Sequence, residues 1–116
     1  MSAIIRGLPW RYAAATGGIV NTTTAVPIKA ADSARRHRIH SLQIQTATLS
    51  GATELAIRDG AGGTVLWRTQ LQTTALPLTM ITFEQPIEAS FNTLLEVVTL
   101  TAVTGGVFVN VQGDSI

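Results

Sequence analysis

The amino-acid sequence predicts an all-β protein: a single antiparallel β-sandwich, jelly-roll-like, with about eight strands. Three observations predict it. Short segments in which apolar and polar residues alternate recur along the chain, the period of a half-buried strand. Glycine, proline and small polar clusters punctuate them every ~8–15 residues. No segment sustains a helical period. Both short hairpins and longer crossings are needed to join such strands, which favours a jelly roll over an immunoglobulin-like sandwich.

With 116 residues the chain has the length of one domain. Residues 1–8 read as an N-terminal arm and residues 9–116 as the sandwich. The arm is apolar, and Gly7-Leu8-Pro9 closes it. Ile4, Ile5 and Leu8 would be adhesive if free, so they are expected to pack on the domain or on a neighbour. Trp10-Arg11-Tyr12 starts the first strand, and Thr16-Gly17-Gly18 turns it. Val26 and Ile28 share a face of the next strand. Pro27 between them cannot donate to a ladder, so this strand is expected at an edge or with a bulge.

Ala30–Arg36 reads as a loop that could seed a helical turn capped by Asp32 or Ser33. Arg38–Leu49 returns to alternation, with His40, Leu42 and Ile44 on one face and Ile39, Ser41, Gln43 and Gln45 on the other. Glu54–Gln72 is the clearest hairpin. Leu55 and Ile57 lie on one arm, Val65, Trp67, Thr69 and Leu71 on the other, and Asp59-Gly60-Ala61-Gly62-Gly63 makes the turn. Glycine supplies the positive φ that the tight reversal needs. Leu78–Glu84 is a strand, Gln85–Ser90 an irregular crossing, Thr93–Thr101 the most apolar strand, and Val107–Val111 the last.

Composition narrows the function. Charged residues make up 13% of the chain, about half the usual share. The neutral surface that results suits a protein partly covered by a partner. A net charge of +1 gives no global field toward nucleic acid or membrane, and no apolar run has the length of a membrane span. There is no cysteine, which excludes disulfide and thiolate chemistry. No secretory leader is recognisable in MSAIIRGLPW, so synthesis in the cytoplasm is expected.

Arg35, Arg36 and Arg38, with His37 and His40, form the one charge cluster. They serve either as a solvated strand start or as a contact for an acidic partner; no aromatic residues interleave them as a nucleic-acid site requires. His37 and His40, three apart on a strand, point to opposite faces and cannot chelate together. The four glutamates are scattered and no nucleophile elbow is present, so no enzyme, cofactor, metal or small-molecule substrate is expected. Asp59 reads as a turn residue and Trp67 as an apolar anchor.

Several phrases carry a likeness: Trp10–Ala15, Gly17–Thr23, Ala52–Gly60, Thr64–Arg68, Leu71–Pro77 and Asn92–Val97. They resemble a group of small proteins encoded near virion genes of tailed phages. The likeness implies a virion structural protein, specifically a capsid decoration (cement) protein that binds the major capsid protein, as a homotrimer on three-fold positions. It carries no catalytic motif and transfers no binding residue. Arg35–Arg38 is more basic than the group leads one to expect. The partner-binding residues anticipated from the chain itself are Ile4, Ile5, Leu8, Arg35, Arg36 and Arg38. A tail or head-fibre module that binds host glycan, and a minor head–tail adaptor, are the alternatives.

Overall fold

Eight strands and no helix form among the residues that the computed structural model describes, 7–19 and 23–116. They are β1 (Leu8–Tyr12), β2 (Val26–Lys29), β3 (Arg36–Thr46), β4 (Thr53–Asp59), β5 (Thr64–Leu71), β6 (Thr79–Phe91), β7 (Leu95–Thr99) and β8 (Val107–Ser115). They build two four-stranded antiparallel sheets, β1-β8-β3-β6 and β2-β7-β4-β5. The expected sandwich is therefore present. Among these strands only β4 and β5 are neighbours both in sequence and in a sheet. The pairing is nested around them: β4 with β5, β3 with β6, β2 with β7, and β1 with β8.

The core lies between the sheets. Ile39, Leu42, Leu55, Ile57, Leu95 and Val97 have no exposed surface. Each such side chain contributes about 1.5–3 kcal/mol by leaving water. At one side of the sandwich, Trp67 of β5 meets Phe83 of β6 edge-to-face, with centroids 6.5 Å apart, and so joins the two sheets. At the other, the Lys29 ammonium of β2 lies 6.0 Å from the Trp10 ring centroid of β1. Asp59 is more than a turn residue. Its carboxylate accepts hydrogen bonds from the Ser90 amide (2.9 Å) and hydroxyl (2.5 Å), tying β4 to β6 across the sheets.

Three of the register shifts between the described strands change the alternation read from the sequence. Opposite β8, Ile39 faces Gly113 and Ser41 faces Gln112, so His40 is an extra residue in β3. It brings Ile39 into phase with Leu42 and Ile44, all buried, and corrects the expectation that Ile39 faces away from them. In β5, Ile57 faces Trp67 and Arg58 faces Val65, so Leu66 is extra. Leu66 thereby joins Trp67 against the core, while Val65 does not. The third bulge belongs to β6, which extends to Phe91 and replaces the crossing expected at Gln85–Ser90. Four residues, Phe83–Pro86, stand there opposite His40 alone. Pro86 is tolerated because β6 is an edge strand. Pro27, on edge strand β2 beside a register shift, lies where its missing donor requires.

The loop before β3 forms a turn and no helix. The Asp32 carboxylate accepts the Ala34 amide at 2.9 Å, and the Asp32 carbonyl accepts the Arg35 amide at 3.2 Å. Leu8, placed in the arm by the sequence, is the first residue of β1 and pairs with Ser115. Ile4 and Ile5 lie outside the described residues.

Candidate functional site

The register of β1-β8-β3-β6 assembles a site that no sequence window contains. On the outer face of this sheet one row runs Pro9, Asp114, Arg38, Glu88. The next runs Arg11, Gln112, Ser41, Thr82. The third is Asn110, Gln43, Met80. Because the bulge occupies the step between Ile39 and Leu42, both inward, His40 and Ser41 turn outward together. Re-aiming a side chain in this way is a common use of bulges.

Asp114 is the centre of charge. Arg38 grips it as a fork, Nε to Oδ1 at 2.8 Å and Nη2 to Oδ2 at 2.6 Å. His40 Nε2 lies 3.0 Å from Oδ1. The hydrogen bond from Arg38, with a smaller one from His40, outweighs partial burial and holds the Asp114 carboxyl below its ordinary value. The same bond raises the already high pKa of Arg38, with added attraction from Glu88. A bidentate arginine–carboxylate pair is geometrically specific, so the cluster fixes the end of the sheet.

Beside the cluster lies a groove of about 480 Å³, lined by Pro9, Trp10, Arg11, His40, Gln112 and Gly113. A second hollow of about 250 Å³ shares Arg11 and Gln112 and continues past Ser41, Gln43 and Met80. The side chains of Arg11, Ser41, Gln43 and Gln112 make no hydrogen bond or ion pair among the described residues. Among the described residues these two hollows therefore present the Arg11 guanidinium, two amides and a hydroxyl without internal partners, beside an exposed thioether. They can bind hydroxyl- and carboxylate-bearing surfaces by hydrogen bonds.

The expected partner residues that are described, Leu8, Arg35, Arg36 and Arg38, do not form one site. Arg38 is committed to Asp114. Arg36, one row beyond it, is exposed and stands opposite Phe91. Arg35 lies in the preceding loop, 3.7 Å from Asp32. Leu8 is exposed on β1. Sequence reasoning missed Arg11, Gln112 and Asp114 as companions of the arginine cluster. Asp114 lies 76 positions from Arg38 and no local signal joins them.

The two histidines do face opposite ways, with different work. His37 is wholly buried. Its Nε2 donates to the Ala30 carbonyl at 2.7 Å, Nδ1 lies 2.6 Å from the Ser115 hydroxyl, and its ring meets Trp10 edge-on. Both nitrogens are satisfied internally, so His37 pins the loop and the C-terminal strand to β3. The Trp10 Nε1 proton has no acceptor among the described residues.

The other sheet's outer face is closed by ion pairs. Arg58 binds Glu96 through Nε at 2.7 Å and Nη2 at 2.6 Å. The Gly62 amide donates to the same Glu96 oxygen. Arg68 Nη1 lies 2.8 Å from Glu54 Oε1, an ionic contact too bent for a hydrogen bond. The register sets Ala56 and Val98 between these two ion pairs, and both are buried on the face away from the core.

Among the described residues no group of three or more His, Cys, Asp and Glu side chains is placed to hold a metal. No protein family, curated protein or solved structure matches the chain.

Proposed function

We propose that this chain is a non-enzymatic virion structural protein of a tailed phage, a capsid decoration (cement) protein. In this reading it is a jelly roll that attaches as a homo-oligomer to the major capsid protein and stabilises the head. The nested strand pairing supports the jelly roll, since winding one long hairpin into two sheets produces that order. The observation that carries the function is the placement of exposed apolar residues. Leu8, Met80 and Phe91 are exposed on the two edge strands of the β1-β8-β3-β6 sheet, and Leu78 stands one residue before β6. Among the described residues, four of the five exposed large apolar side chains, all but Leu100, thus lie on or beside the two edges of one sheet, and on a chain poor in charge this suits edges covered in an assembly. The sequence likeness to phage virion-associated proteins supports a phage head as that assembly.

Mass-spectrometric copy number in purified virions tests the reading. Decoration requires hundreds of copies, whereas a dozen or fewer indicates an adaptor or fibre and ends it. The groove at Arg11 and Gln112 favours a second reading, a head- or tail-fibre module that binds host glycan. Glycan binding abolished by Gln112→Ala together with Arg11→Ala would move the assignment there.

A further inference from the structure

The first half of β6 is an open sheet edge with no guard. β6 borders only β3, so the backbone groups on its far side have no strand to pair with among the described residues. Folded proteins blunt such edges with proline, charge, bulges or short strands. The other three edges of this sandwich are blunted. β1 has five residues with Pro9 second. β2 has four residues, Pro27 and a register shift. β5 carries Arg68 and the bulge at Leu66. The second half of β6 carries Glu84, Pro86 and Glu88 and most of the four-residue bulge, which opens at Phe83. Leu78-Thr79-Met80-Ile81-Thr82-Phe83, by contrast, has no charge, glycine or proline, and four of its residues are β-branched or aromatic. Pro77 and Pro86 bracket it.

Open backbone donors and acceptors recognise another strand. We propose that the occupant is the same segment of a second copy, paired antiparallel about a two-fold axis at Ile81. The segment is complementary to itself in that register. Ile81 meets its counterpart, Met80 faces the partner's Thr82, and Thr79 faces the partner's Phe83. Glu84 comes opposite neutral Leu78, so the two Glu84 carboxylates lie at opposite ends. Neither proline enters the paired stretch. The outer face of the eight-stranded sheet so formed carries Gln43 and Ser41 beside the seam, with no like charges to oppose. An isologous contact closes as a dimer, in place of the trimer expected from the sequence. The proposal rests on the sheet edge alone and stands or falls apart from the capsid reading, which virion copy number tests.

Sedimentation equilibrium of the purified full chain gives the mass, and two double variants fix the register. Met80 and Thr82 point outward and are exposed, so charges there are compatible with the monomer fold, which circular dichroism verifies. Met80→Lys with Thr82→Lys sets like charges directly opposite at two places, and dimerisation weakens by roughly tenfold or more. Met80→Lys with Thr82→Glu sets opposite charges there, and the dimer is retained. A wild-type monomer, a trimer, a dimer indifferent to the two lysines, or equal loss in both double variants overturns the proposal.

Discussion

Asp114 shows how one carboxylate can hold a sheet end. Its side chain is 14% exposed and receives both arms of Arg38. Because its folded pKa lies below the ordinary 3.8, the stability it adds is fully present above that value. That contribution is lost as pH falls through the lowered folded pKa. Asp114→Asn keeps the shape and removes the charge, so it should destabilise by about 1–3 kcal/mol at neutral pH. Measured by urea unfolding from neutral to acid pH, the gap between wild type and variant should close at the acid end. A gap independent of pH would show that the ion pair is not the source. Trp67 is a second test at this scale. The ring is half-buried, packs on the core and meets Phe83. Trp67→Ala should therefore cost about 3 kcal/mol, the lower end for a large aromatic. A near-neutral result would mean that the sheets close without it.

Strands were legible as elements because alternation is a local property. All-β character and the apolar β7 follow from neighbours two apart, the hairpin from its glycine turn, and the edge position of Pro27 from its missing donor. Bulges were not, because one extra residue changes which side faces the core without needing a distinctive residue type. The trace in the sequence is Ile39-His40-Ser41-Leu42, where two polar residues separate apolar ones that a regular strand would set on opposite faces. The candidate site was half legible for the same reason. Arg38 could be seen in a charge cluster, but its partner Asp114 and its neighbour Arg11 come from strands joined only by register. The bulge makes a deletion test decisive. Removing His40 leaves Ile39 and Leu42 separated by Ser41 alone, so both still face inward and the fold should survive. Removing Gln43 sets Leu42 next to Ile44 and drives one of these buried residues outward, costing about 2–5 kcal/mol or more. That is a large share of a small domain's stability. Thermal unfolding should rank the His40 deletion well above the Gln43 deletion; the reverse order would mean that the bulge, and not the alternation, organises β3.

The molecule as a whole is a set of pairings nested around the β4–β5 hairpin, and that nesting implies an order of assembly. The hairpin closes a four-residue turn, Gly60–Gly63, in which Gly60 and Gly62 have φ of 89° and 65°. The outermost pair joins Tyr12 to Val111. Closing that span directly costs about 3 kcal/mol more in chain entropy than closing the hairpin. Each inner pair, once formed, shortens the loop that the next must close, so the favourable route runs outward from β4–β5. Charge and packing agree with this order. Asp59 of the hairpin receives Ser90 of β6, and Arg58 then binds Glu96 of the next strand out, β7. A transition state built on the hairpin is expected to be polarised, as β topologies with one dominant local contact allow. Ile57→Val, buried in β4, should slow folding with a φ-value above about 0.5, whereas Val111→Ala, buried in β8, should mainly speed unfolding with φ below about 0.3. Stopped-flow chevrons of the two variants measure both. Equal values, or a higher one at Val111, would show that the terminal strands pair early and that the hairpin is a late addition.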